Sequence, residues 1–466
     1  MIYLLFTLLS ILDVPLSRLI LVPRTRSRHC STFYPLNSFD IPINEIMYRL
    51  DKQELKTSFD SDYEVVRKEN SFPGILEMKI NTNMKDENQI NDNKMKLIDA
   101  VKKCVLIRSV LEVISEGDTL EEAIDQIPRD INYEYSSLAV SVWNESYLKA
   151  DVISELLSPC EKKMSKCVVT DKLSEAMIIK VMISNDRVII GNELARGLAA
   201  PQFNNNWDNK WDPLSSVNSL RRPSSGILKK FSLNKLPFTL SVSMEPELAL
   251  LMNSCAGVES GSKVLDPFSG SSTILLAASL LGANTTGSDI IYDNNYHVSK
   301  VLENFDYITN LAPKHFSSSI IPPTLLYGGI QELSSLMSQE DEFDCIVTDP
   351  PFGLKVKYNS SSEDDNYDFE ENIYCTVNEL FKLASSKHLK TNGKIVFWYC
   401  EKISKDDLKQ EQEQEQKQDF EESPSQQLPN TFPTDVPRRY SFRLLGSHRQ
   451  SLSTTLSRYL MVFQKE

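Results

Sequence analysis

The stretch from Ser260 to Asp289 constrains the fold of this chain more than any other. Lys263–Leu265 predicts a short strand, the small residues of Ser269–Thr273 predict a tight loop, and the apolar run Ile274–Leu281 predicts a helix. Asp289 then falls at the tip of the next strand. A carboxylate one strand–helix–strand step after a small-residue loop is suited to the ribose hydroxyls of a nucleoside cofactor. The stretch alone is compatible with NAD or with S-adenosylmethionine.

Helix and strand candidates alternate from residue 260 onward, which predicts a doubly wound, Rossmann-like, mostly parallel sheet. The strongest strand candidates are Glu342–Thr348 and Gly393–Tyr399, with a long helix predicted over Glu371–Lys387 between them. Two later segments, Tyr440–Leu445 and Tyr459–Phe463, are predicted to close the sheet as antiparallel edge strands. The fold class is therefore α/β, with a smaller α+β domain ahead of this sheet.

Composition divides the chain into three parts and one insert. Residues 1–195 predict an N-terminal α+β domain, residues 196–242 a linker, and residues 243–466 the domain of the doubly wound sheet. The Gln- and Glu-rich segment 402–430 predicts a disordered insert in this last domain.

The first 31 residues admit two interpretations. Residues 1–23 are apolar but interrupted by charge and proline, so no membrane span is expected. The arginines and serines that follow resemble an organelle targeting segment. The competing interpretation makes Ile2–Phe6 the first strand of the N-terminal domain, and this one is favoured. The protein is accordingly expected in the cytoplasm, or in an organelle if residues 1–31 are a targeting segment.

Net charge and cysteine usage limit the classes of function. The formal net charge of −14 over 466 residues opposes general attraction to nucleic acid but leaves room for a local basic patch. The eight cysteines form no C-x-x-C pair and only five histidines are present, so no metal site is predicted and the thiols are expected to be reduced. The candidates for the basic patch are Arg221, Arg222, Lys229, Lys230, Arg438 and Arg439.

A second motif, residues 349–352, follows a predicted strand at the edge where open α/β sheets bind ligands. Two prolines fix the backbone, so the Asp349 carboxylate and the Pro350 carbonyl can both accept hydrogen bonds from one amine. Two acceptors on the exocyclic amine of a base turn its lone pair toward an electrophile, and Phe352 can stack on the ring. The motif therefore favours methyl transfer from S-adenosylmethionine to an amino group over NAD chemistry.

These motifs resemble those of a known family. Asp266–Gly270, Gly287–Asp289 and Asp349–Gly353 are similar to the cofactor and catalytic motifs of class I amino-methyltransferases. Ser243–Asn253 resembles a segment of the eukaryotic tRNA guanosine N2-methyltransferases that modify the guanosine at position ten. The similarity extends more loosely into the N-terminal half of the chain.

The resemblance implies an N-terminal RNA-binding half of THUMP type, S-adenosylmethionine as cofactor, tRNA as substrate and a small zinc-containing activator subunit as partner. Its catalytic residues correspond to Asp349, Pro350 and Phe352. Its cofactor-binding residues correspond to Asp266, Pro267, Ser269, Gly270, Asp289 and Asp349. The chain departs from the family pattern at three places: Tyr327–Gly329 offers no acid for the adenine amine, Ser272 replaces a glycine, and Phe352 replaces a tyrosine.

Two alternatives to methylation of guanine N2 in tRNA stay open. The first is methylation of another amine, such as adenine N6 or a protein glutamine. The second is a catalytically weakened RNA-binding protein, which the missing acid near Gly328 motivates. An RNA-binding half and the Asp-Pro-Pro form of the motif favour tRNA guanine.

Overall fold

The computed structural model describes residues 18–23, 63–66, 76–80, 87–105, 107–128, 137–143, 168–169, 177–183, 187–196, 231–311, 320–338, 340–351, 369–402, 428–453 and 455–466. The chain divides into two compact units, one with most of the described residues up to Arg196 and one with the described residues from Phe231 onward. Some predictions fall outside the described residues, namely the strand at Ile2–Phe6 and the basic residues Arg221, Arg222, Lys229 and Lys230.

The N-terminal unit is built on one sheet. Its described strands are β1 (Arg18–Pro23), β2 (Tyr63–Val66), β3 (Leu76–Ile80), β4 (Ile107–Gly117), β5 (Ser137–Trp143), β6 (Val168–Val169), β7 (Met177–Ile183) and β8 (Val188–Arg196). They lie in the order β2-β3-β1-β4-β8-β7-β5-β6. β5 runs parallel to β6 and β7, and the other described pairs are antiparallel.

Two described helices accompany this sheet, α1 (Glu87–Lys103) and α2 (Leu120–Asp125). α2 begins after Thr119, whose hydroxyl accepts a hydrogen bond from the Glu122 backbone N–H at 3.2 Å, as a helix cap should. Mixed helices and strands confirm the predicted α+β class. β1 lies inside the segment 1–31 and pairs with β3 and β4, so a strand is present there, although further along than Ile2–Phe6.

The C-terminal unit carries the second sheet. Its described strands are β9 (Lys263–Asp266), β10 (Asn284–Asp289), β11 (Thr324–Tyr327), β12 (Phe343–Thr348), β13 (Leu389–Lys402), β14 (Phe442–Ser453) and β15 (Leu456–Lys465). Its described α-helices are α3 (Pro246–Ala256), α4 (Thr273–Leu280), α5 (Asn295–Leu311), α6 (Ile330–Leu336), α7 (Phe369–Ser385) and α8 (Asp435–Arg439). Within these residues, no helix is long and apolar enough to cross a membrane.

The strands of this unit lie in the order β11-β10-β9-β12-β13-β15-β14. The strands β9 to β13 run parallel to one another, while β15 pairs antiparallel with both β13 and β14 at one edge. The predicted doubly wound sheet with antiparallel closing strands is therefore confirmed.

The strand order reverses between β9 and β12. From β9 the chain moves outward to β10 and β11, then returns to β12 and moves to β13 on the other side. Open α/β sheets bind ligands at the carboxyl ends of strands at such a reversal. Asp266 ends β9 and Asp349 follows β12, so the fold brings two distant parts of the sequence to this place.

An aromatic core holds the closing strands on the rest of the sheet. Phe381 of α7 meets the rings of Phe397, Phe442 and Phe463 edge to face, at centroid distances of 6.0, 5.1 and 5.1 Å. All four side chains are buried. Edge-to-face packing is a favoured geometry for aromatic rings, so one helix residue fastens β13, β14 and β15 together.

The predicted linker and insert lie mostly outside the described residues. Of the linker predicted over residues 196–242, Arg196 ends β8, Phe231 is fully buried, and Asn304 binds both backbone groups of Phe238. Of the insert predicted over 402–430, Lys402 ends β13 and Leu428 packs against the core. Residues 403–427 of that insert lie outside the described part.

Candidate active site

Asp266 is the buried acid at the reversal point, with 1% of its surface exposed. Its Oδ1 accepts hydrogen bonds from the Thr348 hydroxyl at 2.6 Å and from the Phe268 backbone N–H at 3.1 Å. Burial raises the pKa of Asp266 to about 7 despite these bonds, and the negative charges of Asp289 and Asp349 add to the rise. Three carboxyl groups thus share one region, which suits a ligand that carries positive charge.

Asp289 fastens the small-residue loop to the end of β10. Its Oδ2 accepts a hydrogen bond from the Gly270 backbone N–H at 2.7 Å, and its Oδ1 accepts one from the Ile291 N–H at 3.1 Å. Gly270 has a positive φ of 48°. The carboxylate therefore holds the loop in a conformation that glycine adopts readily, while lying at a strand end that open sheets use for ligands.

Hydrogen bonds between hydroxyl groups support the loop at Ser272, where the family pattern has a glycine. Ser272 takes a left-handed conformation at φ 60°, and its hydroxyl lies 2.8 Å from that of Tyr292. The Tyr292 hydroxyl also lies 2.9 Å from that of Ser269 and donates to the Gly270 carbonyl at 2.8 Å. Burial raises the pKa of Tyr292, so this hydroxyl stays protonated. Side-chain hydrogen bonds thus support a backbone shape that costs a non-glycine residue energy.

The segment before α3 covers the other side of the loop. The Ser243 hydroxyl lies 2.6 Å from that of Ser271 and accepts a hydrogen bond from the Leu240 N–H at 2.7 Å. The Leu240 side chain comes within 3.6 Å of where a Cβ of Gly270 would stand. These contacts give a physical reason why the motif that begins at Ser243 and the loop motif at Ser269–Thr273 occur together.

Close packing at Gly287 sets the distance between the loop and β10. Gly287 pairs with Asp266 in the parallel register of β9 and β10. A Cβ at Gly287 would lie 2.6 Å from Leu275 Cδ1 and 2.7 Å from Ser269 Oγ. Such distances are too short for real carbon atoms, so glycine is required for α4 and the loop to lie against the strand.

Two exposed apolar side chains flank the end of β10. Ile290 is 58% exposed and Tyr327, opposite Asp289 in the register, is 60% exposed. Beyond β11, Gly328 has a left-handed φ of 154°, and a Cβ there would lie 3.1 Å from the Glu332 carboxylate. The sequence offered no acid directly after this strand, but the fold brings one from the first turn of α6.

Asp349 and Pro350 lie at the carboxyl end of β12, next to the reversal point. Burial raises the pKa of Asp349 to about 6, while the positive charge of Arg458 opposes the rise. Pro350 is buried. Phe352, the predicted stacking residue, lies outside the described residues. Pro267 and Ser269 are buried parts of the loop that follows β9.

The carboxyl ends of β9, β10 and β12 thus carry the described members of both motifs at one edge of one sheet. Residues 234–421 match the family model described as "UPF0020: RMKL-like, methyltransferase domain". These residues, which make up less than half of the chain, are therefore similar to a methyltransferase domain of this family. Within the described residues, no group of three or more metal-ligating side chains comes together in the domain or elsewhere.

Curated relatives of the methyltransferase domain bear out the resemblance that the motifs predicted. The chain is 21% identical over 344 residues to the tRNA (guanine(10)-N(2))-methyltransferase TRMT11 of Dictyostelium discoideum, covering 64% of this chain and 61% of that protein. It is 31% identical over 129 residues to the tRNA (guanine(10)-N2)-dimethyltransferase of Methanothermobacter thermautotrophicus, covering 26% of this chain and 32% of that protein. It therefore spans less than two thirds of either relative.

One solved structure aligns with most of the chain. The crystal structure of TrmN from Thermus thermophilus aligns with a TM-score of 0.39 and 16% identity, over 96% of this chain and 100% of that one. The assignment of the methyltransferase domain depends on the strand order and the matched residues, not on this alignment.

Proposed function

We propose that this protein transfers a methyl group from S-adenosylmethionine to the exocyclic N2 amine of a guanosine in tRNA. The observation that carries the proposal is the position of Asp349 and Pro350 at the carboxyl end of β12, at the reversal point of the sheet. This point lies beside β9, whose end leads into the loop suited to a nucleoside cofactor. An amine acceptor and a cofactor loop on neighbouring strands are what methyl transfer requires.

The site fits S-adenosylmethionine in charge and in shape. The carboxyl groups of Asp266 and Asp349 suit the positive charges of its methionine end, because burial raises the pKa of both and a cation beside them would favour their ionised forms. Asp289 would accept from the ribose hydroxyls, and the loop residues Pro267, Ser269 and Gly270 would lie along the cofactor. The exposed side chains of Ile290 and Tyr327 suit the two faces of an adenine ring, with Glu332 near its amine.

In the proposed mechanism the chain orients the amine and removes its proton. The cofactor supplies an electrophilic methyl group bound to a sulfonium sulfur. The Asp349 carboxylate and the Pro350 carbonyl accept the two amine hydrogens, which directs the nitrogen lone pair toward that methyl group. The transferred methyl group would leave S-adenosylhomocysteine behind, and the proton that the methylated nitrogen loses would pass to Asp349 or to water. Phe352 would stack on the guanine ring.

The substrate class follows from the relatives. Those described above are named as tRNA (guanine(10)-N2) methyltransferases or dimethyltransferases. We assign RNA binding to the N-terminal α+β unit, as the THUMP-type resemblance implies, and Arg438 and Arg439 at the end of α8 offer positive charge in the C-terminal unit.

Mass spectrometry of tRNA nucleosides from cells with and without the gene tests this function. We expect N2-methylguanosine at one tRNA position to disappear and to return with the intact gene. An unchanged N2-methylguanosine level, or loss of N6-methyladenosine instead, would contradict the assignment to guanine N2.

We also propose a small zinc-containing activator subunit as partner, docked at the β11 edge of the sheet. β11 is the outer strand among the described residues, and Ile321 and Leu336 near its two ends are 47% and 44% exposed. Large exposed apolar side chains beside an edge strand are typical of a protein interface. Purification from the native cells should yield a complex with one zinc per chain, and Ile321→Arg should release both partner and zinc. A purified chain that is fully active alone would argue against this partner.

We place the protein in the cytoplasm, where tRNA is available, with an organelle as the alternative if residues 1–31 act as a targeting segment. Fluorescence microscopy of the full chain with a C-terminal tag, compared with the chain lacking residues 1–31, separates the two locations. An organellar signal that depends on those residues would support the alternative.

A further inference from the structure

Arg458 is a half-buried cation of the C-terminal unit that the proposed reaction has not yet used. It lies on β15, directly opposite Cys400 of β13 and Gln450 of β14. Burial lowers the pKa of this guanidinium. An arginine placed in such surroundings costs free energy unless an anion compensates its charge.

The guanidinium of Arg458 is fixed on two sides. Its centre lies 4.2 Å from the centroid of the Trp398 ring, which is the stacked arrangement that arginine and tryptophan favour. Its Nε donates a hydrogen bond to Gln450 Oε1 at 2.6 Å. Residues of three strands thus hold the Arg458 guanidinium in place. It therefore loses little conformational entropy when it interacts with an anion.

The fixed cation lies near enough to the proposed catalytic acid for their charges to interact. In the parallel register of β12 and β13, Thr348 pairs with Phe397, so Asp349 follows at the level of Trp398. The charge of Arg458 acts on Asp349 and that of Asp349 acts on Arg458. The other titratable groups that interact with Asp349 are Asp266 on β9 and Cys400 on β13. Burial raises the pKa of Cys400 to about 12, so this thiol carries no charge near neutral pH.

We propose that Arg458 is a positioning residue for methyl transfer, whose fixed guanidinium keeps the Asp349 side chain an anionic hydrogen-bond acceptor. The inference rests on the proposed function, because it assigns a task to Asp349 in that reaction. Without the cation, a buried carboxyl group beside Asp266 would take up a proton near neutral pH. A protonated Asp349 would lose part of its capacity to accept hydrogens from the amine and could no longer take a proton from it.

The pH dependence of kcat/KM, measured on unmodified tRNA, tests this role. Wild-type activity should fall as the pH drops through about 6, where Asp349 becomes protonated. In Arg458→Gln we expect this acid limb to move upward by about one pH unit, which is about a fivefold loss at pH 6 and little loss at pH 8.5. Arg458→Lys should recover part of the shift, because it restores the charge without the planar stacking.

The matched control is Arg443→Gln. Arg443 lies on β14 and donates to Gln464 of β15 through Nε and Nη2, so it shares the cross-strand arginine–glutamine arrangement away from Asp349. The kcat/KM of Arg443→Gln should fall at the same acid pH as that of the wild type. The proposal would be overturned if kcat/KM of Arg458→Gln fell at the same acid pH as that of the wild type. It would also be overturned if Arg458→Gln and Arg443→Gln shifted this pH equally.

A second readout separates this inference from the proposed function. NMR titration of 13C-labelled aspartate carboxyl groups, with Asp349 assigned through Asp349→Asn, reports ionisation without turnover. The Asp349 midpoint should rise in Arg458→Gln even if the wild type methylates no tRNA, in which case only the proposed function fails. A midpoint that stays in place would overturn the role of Arg458 in either case.

Discussion

At the scale of single residues, the pKa and the role of each acid at the site depend on its surroundings more than on its residue type. Asp266, Asp289 and Asp349 are the same side chain, yet the first two hold backbone or hydroxyl groups of the loop region while Asp349 faces a cation. Burial raises the pKa of Asp266 to about 7, which no sequence motif could indicate.

Asp266 should make the stability of the free protein depend on pH. Its pKa of about 7 in the folded state is above the unfolded value of 3.8, so the folded state binds the extra proton between these values. The free energy of unfolding should therefore fall as the pH rises from about 4 to 7. Asp266→Asn keeps the acceptor atom but removes the charge, and from pH 5 to 8 it should gain on the order of 2–3 kcal/mol relative to the wild type in urea unfolding. A constant difference between the two proteins would contradict this.

Tyr292→Phe should weaken cofactor binding. The substitution removes the hydroxyl that joins Ser269, Ser272 and the Gly270 carbonyl, and so frees the loop. Losing these bonds should raise the Kd for S-adenosylmethionine about tenfold in isothermal titration. Tyr399→Phe is the control, because that hydroxyl bonds to Thr431 away from the loop. Equal Kd values in Tyr292→Phe and the wild type would refute the role of the network.

At the scale of elements, the proposed cofactor site depends on the packing of α4 and the small-residue loop against β10. The sequence predicted the strand, loop and helix because their apolar and small residues follow one another without interruption. It did not predict the supports from Ser243 and Tyr292, because each comes from outside the loop and meets it only after folding.

Gly287→Ala should separate these elements. The added methyl group would meet Leu275 and Ser269 at distances that force one of them to move. We expect a loss of stability of about 1–3 kcal/mol and a lower affinity for S-adenosylmethionine, measured by thermal unfolding and by isothermal titration. A variant with wild-type melting and affinity would show that the loop does not depend on this close packing.

At the scale of the whole molecule, alternation of helices and strands was enough to predict the sheet and the edge at which such sheets bind ligands. The antiparallel closing strands were also predicted, but Arg458 was not, because its partner Asp349 lies far away in the sequence. The burial of Phe231, which lies within the predicted linker, was not predicted for a similar reason, because it depends on contacts that composition does not reveal. Local patterns therefore predicted the framework, and long-range contacts supplied the electrostatics of the site.

The most direct test of the central claim is methyl transfer by Asp349→Ala, measured as radioactivity passed from methyl-labelled S-adenosylmethionine to unmodified tRNA. Asp344→Ala provides the control, since Asp344 lies on the same strand and binds Lys390 and the Lys263 N–H instead. The account predicts that Asp349→Ala loses methyl transfer by at least about a hundredfold while still binding the cofactor, and that Asp344→Ala stays active. Undiminished methyl transfer in Asp349→Ala would contradict it.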